Sequence, residues 1–210
     1  MILAAEGTMH QEKLRSPRGS SPGSGLRKWR DELVQGELLP ILMQIEQITL
    51  GERGERIVGH VLDGLENEGY MAIHSVQIGG RDIDHVLVGP AGVFVVETKF
   101  RSGTGLITFR NGQGMFVGER RRWPGAIKQA KSGAREVSRI VREECGLAEG
   151  VWPVVVFVGN WQVADQWEST DARVFMPGSL RDYIGEQQPV LKRDEIELIA
   201  SHLERSATRF

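Results

Sequence analysis

The order of apolar patterns in this 210-residue chain predicts an α/β fold: a mixed sheet containing an antiparallel meander, flanked by helices. Three observations carry that expectation. Between Tyr70 and Val117, short β-branched and aromatic runs are separated by glycine-rich turns. Segments with apolar residues every three or four positions lie on either side of them. Pro153 to Val158 (PVVVFV) is a continuous apolar run, as a strand covered on both faces requires.

Residues 1–28 include SPRGSSPGSG and lack periodic apolar positions, so a disordered tail is expected there. Residues 29–48 read as a leading helical arm. From Trp29 to Gln47 the apolar positions Leu33, Leu38, Ile41, Leu42 and Ile45 have helical spacing, and Pro40 is expected to kink or divide it. Residues 49–210 form the α/β domain. Its first helix, Gly51 to Asn67, carries Ile57, Val58, Val61, Leu62 and Leu65 on one face. Glu55 falls about 90° from the centre of that stripe and can lean toward a sheet beneath it.

Strands are expected at Tyr70–Ile78, Asp82–Val88, Val93–Lys99 and Leu106–Arg110, with a further one at Met115–Val117. Gly79–Gly80 mark the first turn, Gly89 to Gly92 the second, and Gly103 with Gly105 the third. Trp123 and Pro124 open a helix reaching about Glu144, with Gln129 at the margin of its buried stripe. After the Pro153–Val158 strand come a short strand near Arg173–Met176 and helices at Ser179–Glu186 and Asp194–Arg205.

Composition narrows the class. With Cys145 as its one cysteine, the chain can form neither an intramolecular disulfide nor a zinc knuckle. No secretory leader and no run near 18 apolar residues is seen, so a cytoplasmic protein without a membrane partner is expected. Net charge is −2, yet residues 99–131 hold eight basic residues against the single acid Glu119, and the rest of the chain is −9. That concentration points to a polyanion. Arg101, Arg120, Arg121, Arg122, Lys128 and Lys131 are the candidate nucleic-acid contacts, with Trp123 available to stack on a base.

Charge is placed against the grain in IDHVLVGPAGVFVVETK, Ile83 to Lys99. If the chain reverses over Gly89–Gly92, antiparallel partners have numbers summing to 181. Val88 then meets Val93, Val86 meets Val95, and Asp84 meets Glu97. Strict alternation puts Asp84, Glu97 and Lys99 on one face with those valines. Opposed carboxylates roughly 4.5–5.5 Å apart at Cβ repel, so a cation must intervene or one acid must hold a proton. Lys99 supplies part of the compensation and a divalent ion with oxygen ligands would supply the rest. A salt-bridge cluster without chemistry is the competing reading. Asp82 falls opposite Lys99 by the same arithmetic, and the five histidines show no metal-ligand spacing. The chain has no glycine-rich phosphate loop and no Gly-Xaa-Ser-Xaa-Gly elbow, so neither a nucleotide cofactor nor esterase chemistry is expected.

An Asp, then Glu-Xaa-Lys after a hairpin, with a helical Glu before and a helical Gln after, resembles the Mrr-like branch of the PD-(D/E)XK nucleases. More narrowly, GERGERIVGHVL, then IGGRDIDHVLVGPAGVFVVETKFRSG, then a Pro-led helix with Gln resembles the nuclease-related domain, NERD, over roughly Leu50 to Gly159. The resemblance implies a restriction-endonuclease-like core. It also implies that Asp84 and Glu97 bind magnesium or manganese, with the Thr98 carbonyl as a further oxygen. Lys99 would orient or activate the attacking water, Glu55 would bind the metal or its water, and Gln129 would hold the site or contact the phosphate. Here Trp123 precedes Pro124 where Asn often stands, and Gln129 lies five residues beyond that proline. The expected activity is metal-dependent hydrolysis of DNA. The alternative is a weakly active or inactive nucleic-acid-binding or protein-interaction module on the same fold. Oligomeric state leaves no trace in these patterns.

Overall fold

The computed structural model describes residues 23–110, 114–118, 121–147, 150–164 and 172–209. Of the expected tail, residues 1–22 lie outside this description. By contact the chain divides into two compact units, Met1–Thr49 and Leu50–Phe210.

Helix α1 (Ser24–Leu33), in the first unit, passes through a π turn at Val34–Leu38 into helix α2 (Leu39–Asp63), whose residues from Leu50 onward belong to the second unit. Pro40 divides the arm as expected, but the irregularity lies on its N-terminal side. Proline has no N–H for the carbonyl four residues back, and its ring crowds that carbonyl. The chain widens instead, and the Leu39 N–H bonds Val34 five residues back. The expected break before Gly51 is absent, because α2 continues through it to Asp63. A single glycine costs a helix only about 1 kcal/mol. The helix expected to reach Asn67 therefore ends at Asp63, followed by a 3₁₀ turn at Glu66–Glu68.

The second unit is a mixed sheet between two helical layers. Strands β1 (Met71–Ile78), β2 (Arg81–Gly89) and β3 (Gly92–Arg110) form an antiparallel meander, and β4 (Gly114–Val117) and β5 (Arg121–Arg122) continue it. Helix α3 (Pro124–Glu143) crosses to β6 (Val151–Val163), which lies parallel to β3, and β7 (Arg173–Phe175) adds in parallel to β6. Helices α4 (Pro177–Gly185) and α5 (Arg193–Ser206) follow, and a short β8 (Thr208–Arg209) pairs with β1. On one side Val137, Ile140 and Val141 of α3 and Ile196, Ile199 and Leu203 of α5 cover Val86, Val88, Val93 and Val95. On the other, Val58 and Leu62 of α2 and Leu180 and Ile184 of α4 cover Leu87, Phe94, Val96 and Val156. Each sheet face thus buries its apolar residues against a helix pair.

The turn expected at Gly103 and Gly105 is corrected. β3 runs straight through it, paired with β6 before and after a bulge between Phe100 and Thr104. Three residues on β3 stand against Gly159 alone on β6, so two are extra and the alternation of faces survives. The bulge closes tightly: a Cβ on Gly159 would lie 2.2 Å from the Arg101 carbonyl oxygen, and Gly159 has φ +136°. Gly178, in the first turn of α4, has open space around it. Gly159→Ala is therefore expected to lower unfolding stability by about 2–4 kcal/mol. Gly178→Ala should leave stability unchanged or raise it by up to about 1 kcal/mol, both read from urea unfolding curves.

Candidate functional site

The register read from the turn is the one the chain adopts. Val88 pairs with Val93, Val86 with Val95 and His85 with Val96. There the ladder stops, one position short of Asp84 and Glu97. Gly89–Gly92 closes the hairpin, so the hydrogen-bonded positions fall at 89/92, 87/94 and 85/96, and the Thr98 N–H would next donate to the Ile83 carbonyl. It donates instead to Asp84 Oδ2, at 2.6 Å.

The shared face expected for Asp84 and its neighbouring valines is corrected by the same detail. Val86 lies in the α3-side core, and so does Ile83, three residues away. Strict alternation is broken between them. On β1, opposite, Ile73 and Val76 repeat the pattern, and Ser75 between them has φ +49°. The Ser75/Asp84 pair drops out of the β1–β2 ladder, while His74/His85 and Val76/Ile83 remain. Both strands turn over together at this point, and the Asp84 carboxylate swings toward the β3 backbone. Asp82 pairs with Gln77, whose amide donates to it at 3.0 Å, rather than opposing Lys99.

Along this edge of β3, β2 accompanies residues 92–96 and β4 accompanies 107–110, while β6 holds the other edge. Glu97, Thr98 and Lys99 begin the gap. Glu97 is 6% exposed and takes an ion pair from Lys99 Nζ at 2.5 Å. Burial, then the Asp84 charge, push the Glu97 carboxyl up to about 7 against the pull of Lys99. Burial also raises Asp84, opposed by the Thr98 N–H and by Lys99. Glu55 is raised by burial and then by Asp84. It feels the Asp84 and Lys99 charges from the α2 layer, where the neighbouring Gly54 packs so closely that a Cβ would lie 3.2 Å from Phe100 and 3.3 Å from Thr98.

Gln129 stands one turn before Gly133, where α3 rests on Val95 and Ile83. Ala126 and Ala130 pack farther along, with Ile107 and Phe157. Gln129 is thus level with the gap and exposed on α3. Arg101 follows Lys99 in the bulge and stacks its guanidinium on the Trp123 ring at 4.5 Å. Lys128 is exposed and Lys131 half-buried on α3, and Arg121 and Arg122 form β5. Arg120 lies outside the described residues.

One cluster escaped the sequence reading. His74 Nδ1 and His85 Nδ1 lie 2.8 Å apart, and His74 Nε2 is 2.9 Å from Asp63 Oδ1. Burial, with His74 adding to it, drives His85 down to about 3, so it is neutral. Its Nε2, like Thr98 Oγ1, is buried without a hydrogen-bond partner among the described residues. These rings line a cleft of about 500 Å³ with Glu55, Gly59 and Asp63. The Gly79–Gly80 turn carried the signal, because partners around it sum to 159 and place His74 opposite His85.

No three His, Cys, Asp or Glu side chains among the described residues form a ready metal cage. Magnesium does not require one, since it retains waters and binds through one or two carboxylates plus substrate phosphate. The carboxylates of half-buried Asp84 and buried Glu97 are hard-oxygen donors whose charges oppose each other, a set that suits that mode.

Fold and site together define a mixed α/β protein with acidic groups gathered at a split in its sheet, compatible with a restriction-endonuclease-like core. The chain belongs to the nuclease-related domain (NERD) family, whose model matches residues 50–158. No curated protein and no solved structure matches it. No helix among the described residues is long and apolar enough to cross a membrane.

The raised Glu97 carboxyl has a measurable sign. Between the unfolded value of 4.5 and about 7 the folded state holds the extra proton, so stability falls as pH rises through that window and the loss is complete above it. Glu97→Gln removes the titration. In chelator, its melting temperature should gain on the wild type by several degrees between pH 5 and 8, on the order of 2–3 kcal/mol. Parallel melting curves would show that the carboxyl titrates normally.

Proposed function

We propose that the split is a metal-dependent nuclease site acting on DNA. The observation that carries the reading is the pairing of Asp84 with a Glu97 so buried that its carboxyl is held near neutrality, with Lys99 bonded to it. Asp84 and Glu97 would hold magnesium or manganese, with the Thr98 carbonyl as a third oxygen. When bound, such an ion polarises a phosphoryl oxygen and lowers the pKa of water. The remaining work belongs to the chain. The Thr98 N–H fixes Asp84 in its turned orientation, and Lys99, a compact charge, steadies negative charge that grows on the phosphate. Glu55, whose carboxyl feels the Asp84 charge, would bind the ion or its water. Gln129 and the basic residues from Arg101 to Lys131 would hold the phosphate backbone.

Purified protein incubated with plasmid, linear and single-stranded DNA should cleave in magnesium or manganese and be silent in chelator. Asp84→Ala, Glu97→Gln and Lys99→Ala should each lower the rate at least about 100-fold while binding of DNA by gel retardation persists. Unchanged cleavage in Asp84→Ala or Lys99→Ala protein would remove this reading. Retardation without hydrolysis under any metal would instead assign a binding module.

A further inference from the structure

The first unit presents a surface of a different kind. Among the described residues, eight of the thirteen large apolar side chains that are exposed lie between Leu26 and Ile48. Five of them, Leu38, Ile41, Leu42, Ile45 and Ile48, are 49–63% exposed and recur at three- and four-residue spacing. At 100° per residue they fall in a stripe about 120° wide, the width of a face that packs on another element. Scattered exposed leucines are ordinary, but a continuous stripe of this length marks a contact surface.

Charge narrows the occupant. Residues 31–52 contain five acids, Asp31, Glu32, Glu37, Glu46 and Glu52, and neither lysine nor arginine. An anionic lipid surface or a nucleic acid would be repelled, since interfacial helices of that kind are rich in basic residues. What fits is another apolar helix, and the stripe is its own complement. Reversed about a point between Ile41 and Leu42, four of its five members map onto one another, Leu38 falling on Ile45 and Ile41 on Leu42, while Ile48 falls on Gln35 at the end of the stripe. A self-complementary patch is what a two-fold contact between identical chains requires. With on the order of 90 Å² exposed per residue, pairing would remove roughly 1,000 Å² from water with the flanking side chains included, about the lower limit of a specific interface.

We propose that residues 34–49 form the dimerisation element of this protein, two copies packing antiparallel across Ile41 and Leu42. The pairing uses the arm alone and stands apart from the proposed nuclease activity. Each dimer would carry two copies of the carboxylate site.

Light scattering on the full chain should give twice the 23.4 kDa chain mass, and Ile41→Glu combined with Ile45→Glu should return it to one. A wild-type monomer at about 100 µM, a concentration that reveals even weak association, overturns the proposal. So does a dimer that survives the double substitution. Register is tested separately, with single cysteines in a Cys145→Ser background. Copies of residue 41 would sit within one residue's rise of the two-fold axis, whereas copies of residue 48 would be about 20 Å apart along the helices. Ile41→Cys should therefore cross-link under mild oxidation and Ile48→Cys should not. Equal cross-linking at both, or at neither, overturns the antiparallel arrangement. Monomeric protein that co-sediments with mixed phosphatidylcholine and phosphatidylglycerol vesicles overturns it in favour of a lipid surface.

Discussion

The hydrogen bond from the Thr98 amide to the Asp84 carboxylate is the constraint on which the rest of the site depends. It replaces a ladder bond that β2 and β3 would otherwise exchange, and it requires the Asp84 side chain to leave the normal alternation. That exit is possible because β1 and β2 turn over together, with Ser75 in a left-handed conformation that a non-glycine residue adopts at some cost. In an unbroken ladder Asp84 and Glu97 would face one another on one side of the sheet. Turned into the split, Asp84 is held against the β3 backbone. For this reason its charge is felt by Glu97 on the strand and by Glu55 from the α2 layer.

The energetic consequence is a local imbalance. Three carboxyl groups and one ammonium share a partly dehydrated space, and Asp84 and Glu97 both have their pKa values raised even though Lys99 opposes the change at each and the Thr98 N–H opposes it at Asp84. Fully ionised, the four groups sum to −2. Such a site is stable with protons on it or with two positive charges in it. Lys99 offsets only one of the three negative charges, and its bond is to Glu97 rather than to Asp84. The approach of α2 is equally constrained, since Gly54 lies against Thr98 and Phe100, and Gly59 lies against the imidazoles of His74 and His85. A side chain at Gly54 would lift the helix turn that carries Glu55.

Much of this was legible in the sequence, and the rest was hidden for identifiable reasons. The Gly89–Gly92 turn fixed partners summing to 181, which located Asp84 beside Glu97 before any coordinates. Alternation correctly assigned Val86, Val88, Val93 and Val95 to one core. It failed at Asp84 because period-two reasoning assumes an unbroken pleat. The signal against it was present, as Ile73 with Val76 and Ile83 with Val86 are apolar pairs three apart that stand opposite each other. Gly103 and Gly105 were read as a turn because glycine marks chain reversals and bulges alike, and only the parallel partner β6 distinguishes them. The helix through Gly51 was missed because a single glycine is a weak terminator. The two-residue β8 is too short to carry any pattern.

The bulge also explains how a chain of net charge −2 brings cations to an acidic site. Because β3 gains two residues there and not one, positions before and after it face the same layer: Val95 and Ile107 both pack under α3. Arg101, two residues beyond Lys99, is held in the bulge by Trp123, and Trp123 immediately precedes α3. The Trp161 indole N–H donates to the Arg101 carbonyl at 3.3 Å and closes the loop from the β6 side. A one-residue bulge would have turned the apolar residues from Ile107 onward away from α3. With two, the strand keeps its core and still lifts a guanidinium out of the ladder and onto the Trp123 ring. The same backbone irregularity that preserves packing therefore takes Arg101, the second cation of the +7 segment, out of the ladder two residues beyond Lys99.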